Sequence, residues 1–146
     1  MRCKDAMVTM VFRCGEDEPA QKVARLMQEM RVGFLPVTNQ AGHLVGVVTD
    51  RDLALRILAE GRSPETPIGS VMTLGNLLSC RPDDDLRDLE RRMADDQKVR
   101  AVVVENDKVV GVISAMDILI AEGSKGRAGK LMEAIAHRES RSALAF

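Results

Sequence analysis

The chain contains the stretch Gly46-Val47-Val48-Thr49-Asp50-Arg51-Asp52 and, about 65 positions later, the similar stretch Gly111-Val112-Ile113-Ser114-Ala115-Met116-Asp117. We call residues 46–52 the first signature and residues 111–117 the second signature. Each begins with a glycine, continues with a strand-like apolar run to a hydroxyl residue, and ends in an aspartate. The same residue types in the same order indicate a duplicated unit.

The similarity extends upstream of each signature. Met72 corresponds to Met7, and Cys80 corresponds to Cys14. A helical apolar rhythm and then a strand-like run also precede each signature, and the two runs are Phe34-Leu35-Pro36-Val37 and Ala101-Val102-Val103-Val104. Each copy therefore reads as helix, strand, turn, strand and helix. This pattern predicts an α+β fold with two small β-sheets flanked by helices.

Composition excludes several classes of protein. With 146 residues, 45% hydrophobic and 29% charged, the chain has the profile of an ordinary globular protein. A formal net charge of -1 provides no long-range attraction to nucleic acid or to anionic lipid. No run approaches the roughly 20 apolar residues that span a bilayer, and residues 1–5 lead into no signal-peptide core. We therefore expect a cytoplasmic protein with neither a nucleic-acid nor a membrane partner.

The domain limits follow from the repeats and from the segment between them. The first repeat is assigned to residues 1–61 and the second to residues 71–122. Residues 62–70 form a linker in which Pro64 and Pro67 prevent a continuous helix. Residues 123–146 form a C-terminal helical extension whose apolar stripe either caps its own domain or contacts a second copy.

The two signatures resemble that of the CBS-domain family, named for cystathionine β-synthase, in which Gly-apolar-x-Thr/Ser-x-x-Asp follows a core strand. The likeness covers roughly residues 5–121, and Phe34-Leu35-Pro36 matches the family's apolar-x-apolar-Pro element. The resemblance implies tandem CBS repeats that pack sheet to sheet about a pseudo-twofold axis. It also implies two clefts of the kind that often hold an adenosine-containing ligand.

The chemistry of the signatures is consistent with such a ligand. An ionised carboxylate only accepts hydrogen bonds, so Asp52 or Asp117 can accept from both hydroxyls of a ribose. The hydroxyl of Thr49 or Ser114 is placed to donate to a phosphate oxygen near the unpaired N–H groups of a helix start. We therefore expect these four residues to bind the ligand.

Five further residues complete the expected ligand-binding set. Gly46 and Gly111 allow the backbone to approach either the ligand or a neighbouring strand. Arg51 adds a cation beside the expected phosphate position, where the second repeat has a methionine. Pro36 belongs to the family's proline element, and Arg100 is a cation before the second repeat's strand. These differences predict unequal sites, with the stronger one in the first repeat.

Other interpretations of the same residues stay open. A Thr or Ser followed three positions later by Asp also caps a helix, which stabilises by about 1 kcal/mol without any ligand. Catalysis is disfavoured because neither His43 nor His137 stands in an acid–base spacing. The P-loop-like run 123–130 lacks a required glycine and hydroxyl, and a structural zinc site lacks ligands.

We therefore predict a stand-alone CBS pair that is a regulatory sensor and not an enzyme. It requires no cofactor, and its regulatory ligand is an adenosyl compound such as AMP, ADP, ATP, S-adenosylmethionine or NAD. Occupancy would be signalled to a regulated enzyme or transporter. A homodimer is expected because methionine side chains suit adaptable packing between subunits. The methionines concerned are Met27, Met30 and Met93. The alternative is a ligand-free pair that serves for dimerisation or protein docking.

Overall fold

The computed structural model describes residues 1–75, 77–123 and 128–143. It has the predicted α+β fold, built from short elements that alternate along the chain. The elements are α1 (Cys3–Ala6), β1 (Cys14–Gly15), α2 (Ala20–Met30), β2 (Phe34–Thr38), β3 (Leu44–Thr49), α3 (Asp50–Leu53) with a π-helical continuation (Ala54–Leu58), a 3-10 turn (Ile68–Ser70), β4 (Ser79–Cys80), α4 (Leu86–Asp96), β5 (Arg100–Glu105), β6 (Lys108–Ser114), α5 (Ala115–Glu122) and α6 (Ala128–Ala143).

Each repeat contributes strands to one three-stranded sheet, with the order β1-β2-β3 in one and β4-β5-β6 in the other. The predicted strand pairs are β2 with β3 and β5 with β6. The second pair is joined at Asn106 and Asp107, whose φ angles of 51° and 63° suit a tight hairpin turn. The sequence does not reveal β1 or β4, because a two-residue strand is too short to show alternation.

The strand registers confirm how the two repeats correspond. Strand β1 runs parallel to β2, with Cys14 opposite Val37. Strand β4 runs parallel to β5, with Cys80 opposite Val103. The correspondence of Cys14 with Cys80 is therefore confirmed, and the residue before Val103 takes the place of Pro36.

Helices α2 and α4 place their apolar faces in the two cores. Each has 11 residues and ends at a left-handed residue, Arg31 or Gln97. Met27 and Met93 are buried, with relative exposures of 6% and 0%. Both side chains fill the cores of their own domains, so they do not supply the dimer contact that the methionine pattern predicts. Met30, in contrast, remains 39% exposed.

The chain divides into two compact units that do not follow the order of the repeats in the sequence. The first unit contains Phe12–Leu77 and Asn106–Val109. The second unit contains Met1–Val11, Leu78–Glu105 and the described residues from Val110 onward. Each unit therefore holds one signature together with the start of the other repeat, and we call residues 1–11 and residues 68–77 the leading segments.

These leading segments are attached to the strands of their units through matching backbone hydrogen bonds. In the first unit, Val47 and Thr73 exchange N–H···O bonds of 3.1 and 2.7 Å. In the second unit, Val8 and Val112 exchange bonds of 2.9 and 3.1 Å. Because Val47 lies in β3 and Val112 in β6, each segment pairs with the strand that carries a signature.

The glycine at the start of each signature permits this close approach. A Cβ atom at Gly46 would lie 2.9 Å from the carbonyl oxygen of Thr73 and 2.7 Å from Sδ of Met72. At Gly111, it would lie 2.8 Å from Sδ of Met7. Of the two roles open for these glycines, the approach of a neighbouring strand is therefore confirmed. A ligand contact of Gly46 or Gly111 stays a prediction.

We expect Gly46→Ala to lower the free energy of unfolding by about 1–3 kcal/mol, because the new methyl group would overpack the contact with Thr73. Urea denaturation followed by far-UV circular dichroism measures this. Gly75→Ala is the matched control, since a Cβ there meets no atom within 4 Å. Equal unfolding free energies for both variants would contradict the role given to Gly46.

The described part of the C-terminal helix packs on its own domain. Leu131 and Ile135 of α6 are buried in the core of the second unit, and α6 lies against α4 and α5. At these two positions, the apolar stripe therefore packs on its own domain and is not available to contact a second copy. None of the helices in the described ranges has the length and apolar character needed to cross a membrane.

Candidate functional site

The first signature turns from β3 into α3 through a reciprocal cap. Thr49 is the N-cap residue, and its Oγ1 accepts a hydrogen bond of 3.1 Å from the Asp52 N–H. In return, the Thr49 N–H donates to Oδ2 of Asp52 at 3.0 Å. The side chains of Thr49 and Asp52 thus satisfy the exposed donors of a helix start.

The second signature forms the same arrangement at the start of α5. The Ser114 N–H donates to Oδ2 of Asp117 at 2.7 Å, and the Asp117 N–H donates to Oγ of Ser114 at 3.2 Å. The Ser114 hydroxyl also hydrogen-bonds to Oδ2 of Asp117. The capping interpretation is therefore confirmed in both repeats. Any ligand role of these residues has to coexist with it.

The cap leaves acceptor capacity on Asp52. A carboxylate has about four lone-pair positions, and the cap uses one on Oδ2. The Thr73 hydroxyl donates toward both oxygens, at 3.4 Å to Oδ1 and 3.3 Å to Oδ2. The Asp52 side chain retains 13% exposure, and these contacts do not use all of the carboxylate's lone-pair positions.

Besides Arg51, the first unit has a second cation near Asp52. It is Arg56, which is not in the predicted ligand-binding set. Its Nη2 lies 3.8 Å from Oδ1 of Asp52. Its Nη1 donates to the carbonyl oxygens of Val71 and Met72, at 2.8 and 3.0 Å. The i,i+4 spacing of Asp52 and Arg56 on a helix is the sequence signal for this pair.

The remaining predicted residues of the first unit lie at different depths. Arg51 is exposed in the first turn of α3, next to Asp52. Pro36 is buried in β2, directly opposite Val47 of β3. Gly46 lies one residue before Val47, and the leading segment with Met72 and Thr73 fills the space beside it. The structure therefore brings Arg51 together with Thr49 and Asp52, and it places Pro36 in the sheet behind them.

In the second unit, Arg100 lies beside the second signature. It is the exposed first residue of β5. The N–H of Ala115, the first residue of α5, donates to the carbonyl oxygen of Val99 at 2.9 Å. This bond places the start of β5 next to the start of α5, and thus Arg100 near the cap of Ser114 and Asp117.

The two signature turns differ in charge. Around Asp52, the first unit carries Asp50, Arg51 and Arg56. Around Asp117, the corresponding positions are uncharged, and they are Ala115, Met116 and Ala121. Met116 is 53% exposed. The first unit therefore offers cations for an anionic ligand group, whereas the same positions of the second unit carry no charge.

The thiols are free and buried. Burial, and to a smaller extent the charge of Glu18, raise the pKa of the Cys14 thiol to about 12. A side-chain hydrogen bond between Cys3 and Cys80 lowers the pKa of Cys3 and raises that of Cys80. Within the described ranges, no cluster of three or more His, Cys, Asp or Glu side chains could hold a metal ion.

Alkylation of Cys14 is expected to be slow in the native protein at pH 8. The thiolate is the reactive form, and raising the pKa from 9.0 to about 12 lowers its amount roughly a thousandfold. Labelling with iodoacetamide and peptide mass spectrometry measures the rate, which should keep rising with pH above 9. The same protein in urea is the control. Equal rates in both states at pH 8 would contradict the burial of Cys14.

Comparison with known proteins gives consistent matches over most of the chain. The CBS domain model matches residues 3–59 and 68–123. CBS domain-containing protein YhcV of Bacillus subtilis is 36% identical over 135 residues, which are 92% of this chain and 95% of that protein.

Two solved structures illustrate the similarity of fold. Hypoxic Response Protein I with two coordinated zinc ions has a TM-score of 0.74 at 26% identity, covering 82% of this chain and 98% of that one. The CBS domain pair of protein MJ0100, in complex with 5′-methylthioadenosine and S-adenosyl-L-methionine, has a TM-score of 0.74 at 23% identity, covering 86% and 98%.

Proposed function

Because the chain belongs to the CBS-domain family, we propose that it is a regulatory module whose signature sites bind an adenosyl ligand. The ligand class comprises AMP, ADP, ATP, S-adenosylmethionine and NAD. Binding would report the level of that ligand to a partner enzyme or transporter, without catalysis by the module itself. The first-unit site, with Thr49, Arg51 and Asp52, would be the stronger of the two.

The carboxylate of Asp52 carries this proposal. It is held by the cap at the end of β3, keeps acceptor capacity, and has an exposed arginine beside it on the same turn. A ribose diol needs two acceptor positions on one group, which an ionised carboxylate supplies. Arg51 would then be placed for a phosphate.

One further feature supports the adenosyl class, and a second indicates how its adenine would be held. The MJ0100 pair has this fold, and both of its bound ligands are adenosyl compounds. The chain has no Trp or Tyr, and only 2% of its residues are aromatic. An adenine ring would therefore be held between aliphatic side chains and recognised by backbone groups.

A thermal-shift panel of the five ligands tests the proposal. A ligand present at 100 times its dissociation constant should stabilise the protein by about 2.7 kcal/mol. The 2′,3′-dideoxy form of AMP is the matched control for AMP, because it lacks the diol that Asp52 would bind. If no adenosyl compound raises the Tm, or if dideoxy-AMP acts as AMP does, the proposal is wrong.

The ligand-free docking module remains the second candidate, and an apolar surface of the first unit favours it. Leu55 and Leu58 are 50% and 80% exposed. Beside Leu58, a groove of about 310 Å³ is lined by α2 and by the π-helical continuation of α3. We expect this surface to contact a second copy in a homodimer. Light scattering should then give twice the chain mass of 16.0 kDa, whereas a monomer at high concentration would contradict the homodimer.

A further inference from the structure

Two residues outside the predicted set restrain the carboxylate of Asp52. The Thr73 hydroxyl reaches both carboxylate oxygens at 3.3–3.4 Å. The Arg56 guanidinium lies 3.8 Å from Oδ1. With the Thr49 N–H on Oδ2, the carboxylate is therefore approached by three donors from different parts of the first unit.

Arg56 is itself fixed, so its charge has a defined place. Its Nη1 is held by the carbonyl oxygens of Val71 and Met72, at 2.8 and 3.0 Å. A guanidinium is a rigid planar fork, and holding one nitrogen sets the direction of the others. Arg56 thus connects the π-helical continuation of α3 to the segment that contains Thr73, and its second nitrogen lies beside Asp52.

The second unit does not have this restraint. The position that corresponds to Thr73 is Val8, and the one that corresponds to Arg56 is Ala121. Neither side chain can donate a hydrogen bond. Asp117 keeps the cap formed with Ser114 but has neither of these two donors. The two units therefore differ at both positions that approach the Asp52 carboxylate, in addition to the difference between Arg51 and Met116.

We propose that Arg56 and Thr73 are positioning residues that orient the Asp52 carboxylate for a ribose diol and make the first-unit site the tighter one. This inference rests on the proposed function and names residues that determine the strength of that site. A carboxylate already held in one orientation loses less freedom when the ligand binds. Neither residue needs to touch the ligand.

Calorimetric titration with AMP, and with S-adenosylmethionine as a second probe, tests the inference on Arg56→Ala and Thr73→Val. Each variant should weaken binding roughly tenfold, because Thr73→Val removes a hydrogen bond to the charged carboxylate and Arg56→Ala removes the guanidinium charge beside it. Arg56→Lys keeps the charge and should recover part of the affinity. Urea unfolding without ligand is measured in parallel, so that a loss of stability is separated from a loss of affinity.

The outcomes distinguish this inference from the proposed function. If the wild-type protein binds neither probe nor any other ligand of the thermal-shift panel, the proposed function is wrong and the inference falls with it. If the wild type binds and both variants bind equally well, only the inference is overturned, and Arg56 and Thr73 are structural. An affinity that rises in Thr73→Val would overturn it too, because the hydroxyl would then compete with the ligand.

A gain-of-function variant gives an independent arm. Val8→Thr combined with Ala121→Arg places the two donors in the second unit, and Asp52→Ala in the same chain removes the first site. Compared with Asp52→Ala alone, the triple variant should bind AMP several-fold more tightly. A folded triple variant with no gain in affinity would contradict the proposal.

Discussion

Replacing Asp52 with alanine is expected to weaken binding of the adenosyl ligand roughly thirty- to a thousandfold. The substitution removes the acceptor for the ribose diol, and losing a pair of charge-assisted hydrogen bonds costs about 2–4 kcal/mol. Isothermal titration calorimetry of the wild type and the variant, with the ligand that gives the largest thermal shift, measures the difference.

Two controls separate this effect from the capping role of Asp52. Asp50→Ala removes an exposed carboxylate two positions away and should leave affinity nearly unchanged. Asp117→Ala removes the equivalent residue of the second unit, where we propose the weaker site, and should have a smaller effect than Asp52→Ala. Loss of the cap lowers the unfolding free energy of the Asp52 variant by about 1 kcal/mol. A variant that binds normally and only unfolds earlier would show that Asp52 is a helix cap alone.

Ile68→Ala is expected to have the largest effect on stability, lowering the free energy of unfolding by about 2–5 kcal/mol. Ile68 is fully buried in the core of the first unit, although it belongs to the segment that leads into the second repeat. The truncation would leave a cavity between that segment and the first repeat. Urea unfolding has to be followed by far-UV circular dichroism, because the chain has no Trp or Tyr.

Leu74→Ala provides the control for Ile68→Ala within the same segment. Leu74 is 63% exposed, so its truncation should change the unfolding free energy by less than about 0.5 kcal/mol. The contrast between Ile68 and Leu74 tests whether this segment is part of the first unit. Similar, small losses for both variants would contradict that assignment.

Much of the fold follows from the sequence because the repeat presents each pattern twice. The apolar runs predict the hairpin strands, and the signatures predict a helix start at Thr49 and at Ser114. The sequence does not predict that the segments around Ile68 and Cys3 each pack in the unit that holds the signature of the other repeat. Local patterns show that a residue is apolar, but they do not show which core it enters. The tertiary structure reveals that choice, through the backbone pairing of Thr73 with Val47 and of Val8 with Val112.

The candidate site is predictable to a similar extent. Thr49 and Asp52 are found because their spacing is local, and the cap between them is confirmed. Thr73 is missed because it lies 21 residues from Asp52 in sequence and reaches it only through tertiary structure. The i,i+4 spacing of Arg56 is visible, but such pairs on an exposed helix contribute little and are common. Its importance comes from the carbonyl oxygens that fix it.

The most direct test of an adenosyl site on the first signature is an NMR titration of the ¹⁵N-labelled protein with AMP. The backbone amides of Thr49, Asp52 and Thr73 should shift progressively and reach saturation together, with smaller changes at Ser114 and Asp117. If AMP shifts only amides remote from both signatures, or if titrations with AMP, ADP, ATP, S-adenosylmethionine and NAD all produce no shifts, the ligand-binding account of this protein is contradicted.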